Sequence, residues 1–187
     1  ATVIRASYTG DLGYEIWVTP DYQLSLYEQI IAASEGLGIR HFGNRALMSL
    51  RLEKAYGAFF REFRPDYTPM ESGLNTFVAY DKGDFIGRAA ALKDRATPPI
   101  RKLVPLIVDT DVDVVGYESI LRNGEAIGQV TSGGYAHWAG KSMAMGYVRA
   151  DLAKDGAAFE IDIFEKRRPA RIHTTPLFDA NGGRQRS

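Results

Sequence analysis

The sequence predicts an α+β fold, with strands and helices in its first half and a small antiparallel β-barrel in its second half. Apolar residues recur at helical spacing before residue 100, whereas short alternating patterns typical of strands dominate after it. The run Ala96-Thr97-Pro98-Pro99 separates the two parts, because paired prolines disfavour a helix and favour an extended connection. We therefore predict one domain at residues 1–95, a linker at 96–100 and a barrel domain at 101–187.

The chain begins with a predicted hairpin. Residues 2–6 and 14–18 have the character of strands, and Gly10 and Gly13 lie between them, where glycine supplies the positive φ that a hairpin connection needs. Glu15 is the exception, because a carboxylate beside an apolar strand costs free energy unless it has a partner. The residues alone leave two interpretations open: a glutamate at the rim paired with an arginine, or a carboxylate that binds a ligand.

Two amphipathic helices are predicted next. The first runs from Pro20 to about Ser34, with Thr19 as its N-cap. The second runs from about Asn44 to Lys54, with Leu47 and Leu50 as its inward stripe.

Arg51 lies four residues after Leu47, so we expect it beside the inward stripe, half-buried and paired with a carboxylate. Whether it pairs with a nearby glutamate and fastens the hairpin to the helix, or contacts a ligand, stays open at this point. Beyond it, residues 75–80 predict a short strand, and residues 88–95 predict a surface helix.

The barrel prediction rests on a series of short strands. Asn123-Gly124 is the strongest hairpin signal in the chain, and Pro169 is expected to turn the chain into the last strand. Gly133-Gly134 has no Walker or dinucleotide spacing around it, so we predict a loop where the barrel backbone turns closely. The predicted strands are residues 103–108, 118–121, 126–131, 142–148, 159–164 and 170–173.

Composition narrows the possible functions. The 187 residues include 23 basic and 23 acidic side chains, and this balance gives no electrostatic reason for a nucleic-acid or anionic-membrane partner. The chain has no cysteine, which excludes disulfides and thiol chemistry, and its three histidines lack metal-ligand spacing. No apolar run approaches the roughly 20 residues that span a bilayer. We therefore expect no metal, nucleic-acid or membrane partner.

The pattern Tyr8-Thr9-Gly10-x-x-Gly13-Tyr14-Glu15 resembles the signature hairpin of the glycine-cleavage T-protein (aminomethyltransferase) family. Residues 53–59 and 175–179 resemble the form found in sarcosine and dimethylglycine dehydrogenases, although Phe60 stands where that group usually has Gly. Other resemblances follow in the family's order, at residues 43–54, 68–74, 84–88, 124–128, 130–135 and 140–148.

This resemblance implies a partial folate-binding aminomethyltransferase domain followed by the family's C-terminal barrel. In the family, the glutamate matching Glu15 hydrogen-bonds the pterin of tetrahydrofolate, whose two adjacent donors suit two carboxylate oxygens. Arg51 would orient the pterin or brace a neighbouring carboxylate. Tyr8 and Tyr56 are candidates for the pocket wall, with ordinary aromatic packing as the alternative. No catalytic residue is assigned, because the family's catalytic Asp belongs to an N-terminal half without a counterpart here.

The implied function is the C-terminal part of a tetrahydrofolate-dependent aminomethyltransferase module in a sarcosine or dimethylglycine dehydrogenase-like protein. Alone, this half is expected to be inactive. FAD would belong to a preceding domain, which oxidises a methylated amine whose one-carbon unit passes to tetrahydrofolate. The expected partners are folate, a small methylated amine, and the missing half or flavin domain of the same protein. The expected location is the cytoplasm, or the mitochondrial matrix in a eukaryote.

Two alternatives remain: a fragment of a stand-alone T-protein or folate-dependent demethylase, and a non-catalytic folate-binding or interaction module. The absence of cysteine excludes the relatives marked by a K-G-C-Y motif. The chain opens directly into an apolar strand, which predicts a piece of a longer polypeptide. The hairpin and both helices would pack on the missing part, so we expect an exposed apolar face, with self-association or instability in dilute solution.

Overall fold

The structure, a computed structural model, describes residues 1–186. It confirms the predicted α+β class, with a closed six-stranded antiparallel barrel after residue 100. The elements are β1 (Thr2–Ile4), β2 (Glu15–Trp17), α1 (Pro20–Ala33), α2 (Asn44–Glu53), α3 (Pro69–Ser72), α4 (Arg88–Ala96), β3 (Arg101–Val108), β4 (Ser119–Arg122), β5 (Glu125–Ala136), β6 (Lys141–Arg149), β7 (Ala158–Ile163), β8 (Lys166–Ile172) and α5 (Gly183–Arg186).

The barrel holds the hydrophobic core. Its strands follow the order β3-β6-β5-β4-β7-β8, and β8 pairs with β3 to close the circle. Asn123 and Gly124 have φ of 54° and 83°, so the hairpin predicted there is confirmed with two positive φ values. Alternate residues of each strand point inward. The core consists of Val104, Leu106, Val108, Val114, Ile120, Ile127, Val130, Ala144, Val148, Phe159, Ile161, Ile163, Ala170 and Ile172.

Two barrel predictions were wrong in part. Gly133 and Gly134 lie inside β5 and not in a loop. A Cβ at Gly133 would lie 2.6 Å from the carbonyl oxygen of Val114, so the expected close backbone approach is present. Pro169 lies within β8, where its carbonyl accepts the Asp109 N–H at 2.8 Å, and therefore makes no turn. The chain reverses five residues earlier, at two residues with positive φ, Phe164 and Glu165.

The predicted strand at residues 75–80 is also wrong. Asn75–Phe77 forms a 3-10 turn, in which Phe77 N–H donates to the Leu74 carbonyl and Val78 N–H donates to the Asn75 carbonyl. These local bonds take the place of a ladder with a neighbouring strand. The surface helix predicted at residues 88–95 is confirmed as α4.

The first half of the chain has almost no core of its own. Among residues 1–186, Leu52 and Ala58 are the only buried hydrophobic residues that precede residue 100. Helix α1 buries none of its residues, and Leu50, predicted to face inward on α2, is 36% exposed. Many large apolar side chains of this half are therefore exposed, as predicted. They include Val3, Ile4, Tyr14, Ile16, Trp17, Tyr22, Leu24, Tyr27, Leu37, Ile39 and Phe42.

Phe60 occupies an unfavourable backbone conformation. Its φ is +63°, in the left-handed region that side chains with a Cβ rarely adopt, and the residue is 88% exposed. We expect Phe60→Gly to stabilise the chain by about 1 kcal/mol, because glycine has no Cβ to strain there. Chemical unfolding would measure this. Phe60→Ala, which removes the ring and keeps the Cβ, should change stability by less than about 0.5 kcal/mol; equal stabilisation by both variants would contradict backbone strain as the cause.

Candidate functional site

The last turn of α2 is buried on every side. Arg51, Leu52, Glu53 and Lys54 are each no more than 4% exposed, although three of these four consecutive residues are charged. A helix that packs on one neighbour buries only one stripe. Four adjacent buried residues therefore mean that separate parts of the chain enclose the end of this helix.

Glu62 forms the centre of a buried network. Its Oε2 accepts from Arg51 Nη1 at 3.1 Å and from the Ala58 N–H at 2.8 Å. Its Oε1 accepts from Thr131 Oγ1 at 2.6 Å and from Ser132 Oγ at 2.5 Å, both on the barrel strand β5. A buried ion pair is stable only when its remaining lone pairs are also satisfied. Glu62 therefore neutralises Arg51 and links it to the barrel.

Arg51 is thus fully buried, at 1% exposed, where the sequence predicted a half-buried side chain. The carboxylate partner expected for it is present in Glu62. Its Nη1 also donates to the Tyr56 carbonyl at 3.0 Å, while its Nε is buried without a hydrogen-bond partner among residues 1–186. Arg51 is therefore placed to brace its neighbours, because its buried guanidinium has almost no surface in contact with solvent.

Tyr147, on β6, makes a second link between the barrel and the first domain. Its hydroxyl donates to the Glu62 carbonyl at 2.9 Å and lies 2.9 Å from Ser72 Oγ. Its ring stacks on Tyr67 with centroids 3.6 Å apart. Burial raises the pKa of Tyr147 to about 12, so the hydroxyl remains a donor at neutral pH.

Glu53 and Lys54 connect α2 to two further parts of the chain. Glu53 Oε1 accepts the N–H of Trp138, in the connection between β5 and β6, at 2.9 Å. Lys54 Nζ donates to the carbonyl of Asp179 at 2.5 Å and to its carboxylate at 3.3 Å. The end of α2 is therefore the point where the barrel and the segment that follows it meet the first domain.

Tyr8 and Tyr56 both reach this point. Tyr8 Oη donates to the Gly57 carbonyl at 3.1 Å, and Tyr56 Oη donates to Gln185 Oε1 at 2.8 Å. Burial raises the pKa of Tyr8, and the positive charge of Arg51 partly opposes that rise. The structure therefore brings Tyr8, Arg51 and Tyr56 together at the C-terminal end of α2.

Glu15 lies apart from this cluster. It is exposed on β2, opposite Ile4 of β1. Within residues 1–186, no side chain forms a hydrogen bond or ion pair with it, so both carboxylate oxygens can accept from a ligand. Glu15 is thus exposed on the hairpin, whereas Tyr8, Arg51 and Tyr56 are gathered at the end of α2.

Glu62 and its barrel partners were not predicted from the sequence. One signal was present: Glu62 is an isolated acidic residue within the aromatic stretch 58–63. Among the described residues, no group of three or more His, Asp or Glu side chains is arranged to hold a metal. None of the helices in residues 1–186 has the length and apolar character needed to cross a bilayer.

Comparisons with known proteins decide the family. The GCVT N-terminal domain matches residues 1–82, and the glycine cleavage T-protein C-terminal barrel domain matches residues 101–179. The chain belongs to the glycine-cleavage T-protein family. Human dimethylglycine dehydrogenase is 42% identical to it over 94% of the chain. Mouse sarcosine dehydrogenase is 33% identical over 97% of the chain.

A solved T-protein structure agrees with this assignment. The glycine cleavage system aminomethyltransferase T of Bartonella henselae superposes with a TM-score of 0.87 at 28% identity, over 95% of this chain. The chain spans about a fifth of the length of the two dehydrogenases and half of the aminomethyltransferase. It thus has the two domain types of a T-protein over part of the length of these relatives.

Proposed function

We propose that this chain is the C-terminal part of a tetrahydrofolate-dependent aminomethyltransferase module. The observation that carries the proposal is the consecutive match of both T-protein domains, to residues 1–82 and 101–179. Tetrahydrofolate, when bound, supplies the nitrogen atoms that accept a one-carbon unit. The residues of this chain hold and orient the pterin, and holding reactants close together contributes up to about 7–11 kcal/mol in favourable cases.

The residues present fit a pterin ligand. Glu15 offers two acceptor oxygens to the two adjacent donors of the pterin edge, and it is exposed on β2. Tyr8 and Tyr56 form part of the wall of the pterin pocket. Their hydroxyls are held in place by hydrogen bonds to the Gly57 carbonyl and to Gln185 Oε1. Arg51 braces this wall through the Tyr56 carbonyl and does not itself face the ligand. We assign the proton chemistry to no residue of this chain, so the chain alone is expected to be inactive.

The dehydrogenase type of module is the version we favour. Identity is 42% over 94% of the chain with human dimethylglycine dehydrogenase and 36% over 85% of it with the aminomethyltransferase of Halothermothrix orenii. The proposed partners are then a small methylated amine and a flavin domain of the same protein, which would contain FAD. The two dehydrogenase relatives are named as mitochondrial, which supports the mitochondrial matrix as the location in a eukaryote. For a bacterium we propose the cytoplasm.

A titration tests folate recognition directly. We expect the 187-residue chain to bind 5-formyltetrahydrofolate in a calorimeter, and Glu15→Gln to weaken binding at least tenfold, or about 1.4 kcal/mol. Glu28→Gln is the matched control, because Glu28 is an exposed carboxylate on α1. Equal weakening by both variants would contradict the role of Glu15. Absence of binding by both the folded chain and the complete gene product would overturn the proposed function.

A further inference from the structure

The segment that follows β8 returns to the beginning of the chain. We call residues 174–186 the strap. It crosses the end of α2, where the Phe178 N–H donates to the Glu53 carbonyl at 3.1 Å. The Phe178 ring meets Trp138 edge-on, with centroids 5.6 Å apart. The strap is thus fixed to both the helix and the barrel before it reaches the hairpin.

Asp179 fixes the course of the strap. Its carboxylate lies 3.3 Å from the buried Lys54 Nζ and also accepts the N–H groups of Gly183 and Arg184 at 3.0 and 3.1 Å. Desolvation raises the pKa of Asp179, but the Arg184 and Gly183 N–H groups and Lys54 outweigh it, and the net pKa is lowered. The carboxylate is therefore charged at neutral pH, and it sets the direction of α5 relative to α2.

Gln185 ties the strap to the hairpin. Its Oε1 accepts from Tyr56 Oη at 2.8 Å, and its Nε2 donates to the Ser7 carbonyl at 3.4 Å. Its own carbonyl accepts from the Arg5 guanidinium at 3.1 Å. One side chain thus connects a candidate wall residue, Tyr56, to the residue immediately before Tyr8.

The hairpin also packs against Lys54 and Phe178, at Gly10. Gly10 has a φ of +87°, and a Cβ there would lie 2.9 Å from Lys54 Cδ and 3.3 Å from the Phe178 ring. Strands β1 and β2 have three residues each and are exposed along their length. A two-stranded hairpin of this size is marginally stable by itself. Its position therefore depends on these anchors.

We propose that Asp179 and Gln185 are positioning residues for folate recognition. Asp179 acts through Lys54, whose side chain lies against Gly10, and Gln185 acts through the Ser7 carbonyl; together they hold the hairpin of residues 7–16 in place before the ligand binds. This inference rests on the proposed function. A segment ordered in advance loses less conformational entropy on binding, so affinity should be higher with the strap in place. The match to the family barrel ends at residue 179, so Gln185 lies beyond it.

Hydrogen exchange and folate affinity together test the strap, with the intact 187-residue chain. We expect Gln185→Ala to speed exchange of the amides of residues 7–16 at least fivefold, with barrel amides unchanged. The same variant should raise the dissociation constant of 5-formyltetrahydrofolate at least threefold. Gln185→Glu keeps an acceptor for Tyr56 but has no donor for the Ser7 carbonyl, so exchange of the hairpin amides should stay as fast as in Gln185→Ala. Gln23→Ala, an exposed glutamine on α1, is the control expected to change neither value.

The two proposals fail in different ways. If the wild-type chain binds folate and Gln185→Ala leaves hairpin exchange unchanged, the strap does not position the hairpin. If exchange rises while affinity is unchanged, the strap has a structural role only, and the inference is overturned. If neither the folded wild-type chain nor the complete gene product binds folate, the proposed function fails, and the strap's role in folate recognition fails with it.

Discussion

Glu62→Gln should destabilise the chain by about 3 kcal/mol, because it leaves the buried guanidinium of Arg51 without a compensating charge. An amide also has one oxygen where the carboxylate has two. Turned one way, its NH2 group meets the donors of Arg51 and Ala58, neither of which can accept. Turned the other way, it meets Thr131 and Ser132, which must give up their donor roles. Urea unfolding followed by tryptophan fluorescence measures the change.

An exposed ion pair provides the control. Glu160 and Arg167 lie 3.8 Å apart and are 43% and 54% exposed, so Glu160→Gln should cost less than about 1 kcal/mol. Similar losses for both variants would contradict the view that burial makes the Glu62 network important. The proposed function adds a second expectation: Glu62→Gln should weaken folate binding, because Arg51 would no longer be held against the Tyr56 carbonyl.

Gly128→Ala should cost about 3 kcal/mol or more, and we expect the barrel to lose its cooperative unfolding transition. A Cβ at Gly128 would lie 2.1 Å from the Tyr147 carbonyl and 3.0 Å from the Val148 Cα. These are backbone atoms of β6, paired directly with β5, so no side-chain rotation relieves the overlap. The neighbouring strands β5 and β6 would therefore have to separate within the closed barrel. Differential scanning calorimetry and circular dichroism would show the loss.

The matched control is Gly83→Ala. No atom lies within 4 Å of a Cβ built at Gly83, and its φ is not in the left-handed region. We expect a change of less than about 0.5 kcal/mol. If Gly128→Ala lowers the free energy of unfolding no more than Gly83→Ala does, β5 and β6 can move apart at little cost.

The sequence predicted the barrel well because the signals for its strands and turns are local in the sequence. Alternating residues in the strands and the Asn123-Gly124 turn define strand positions without knowledge of distant contacts. The helix α2 itself was predicted correctly, but the prediction of which of its residues are buried failed for the opposite reason. Leu47 and Leu50 follow a single-stripe pattern, but burial at the end of the helix is set by Glu62, Trp138 and Asp179. Two of these lie more than 80 residues away, and helical spacing contains no information about them.

The candidate site also combines features that local sequence predicts with features that it does not. Motifs predict Glu15 and Arg51 as candidates, but the surroundings of these residues depend on tertiary contacts. The sequence around Arg51 does not indicate that its side chain is completely buried. The residue before it on α2, Leu50, is apolar and yet exposed. Gln185 could not be predicted either, because it reaches Tyr56 and Ser7 across 129 and 178 positions of sequence. Phe60 was noticed as an unusual residue for its position, and its positive φ gives the physical reason.

The Glu62 network has a consequence for exchanging parts between relatives. One carboxylate takes hydrogen bonds from Arg51 and Ala58 of the first domain and from Thr131 and Ser132 of the barrel. A chimaera that takes the barrel from a relative with apolar side chains at both hydroxyl positions would leave Glu62 Oε1 buried without a hydrogen-bond donor. The two domains are therefore interchangeable only as a pair, or with both sides of this contact carried over together.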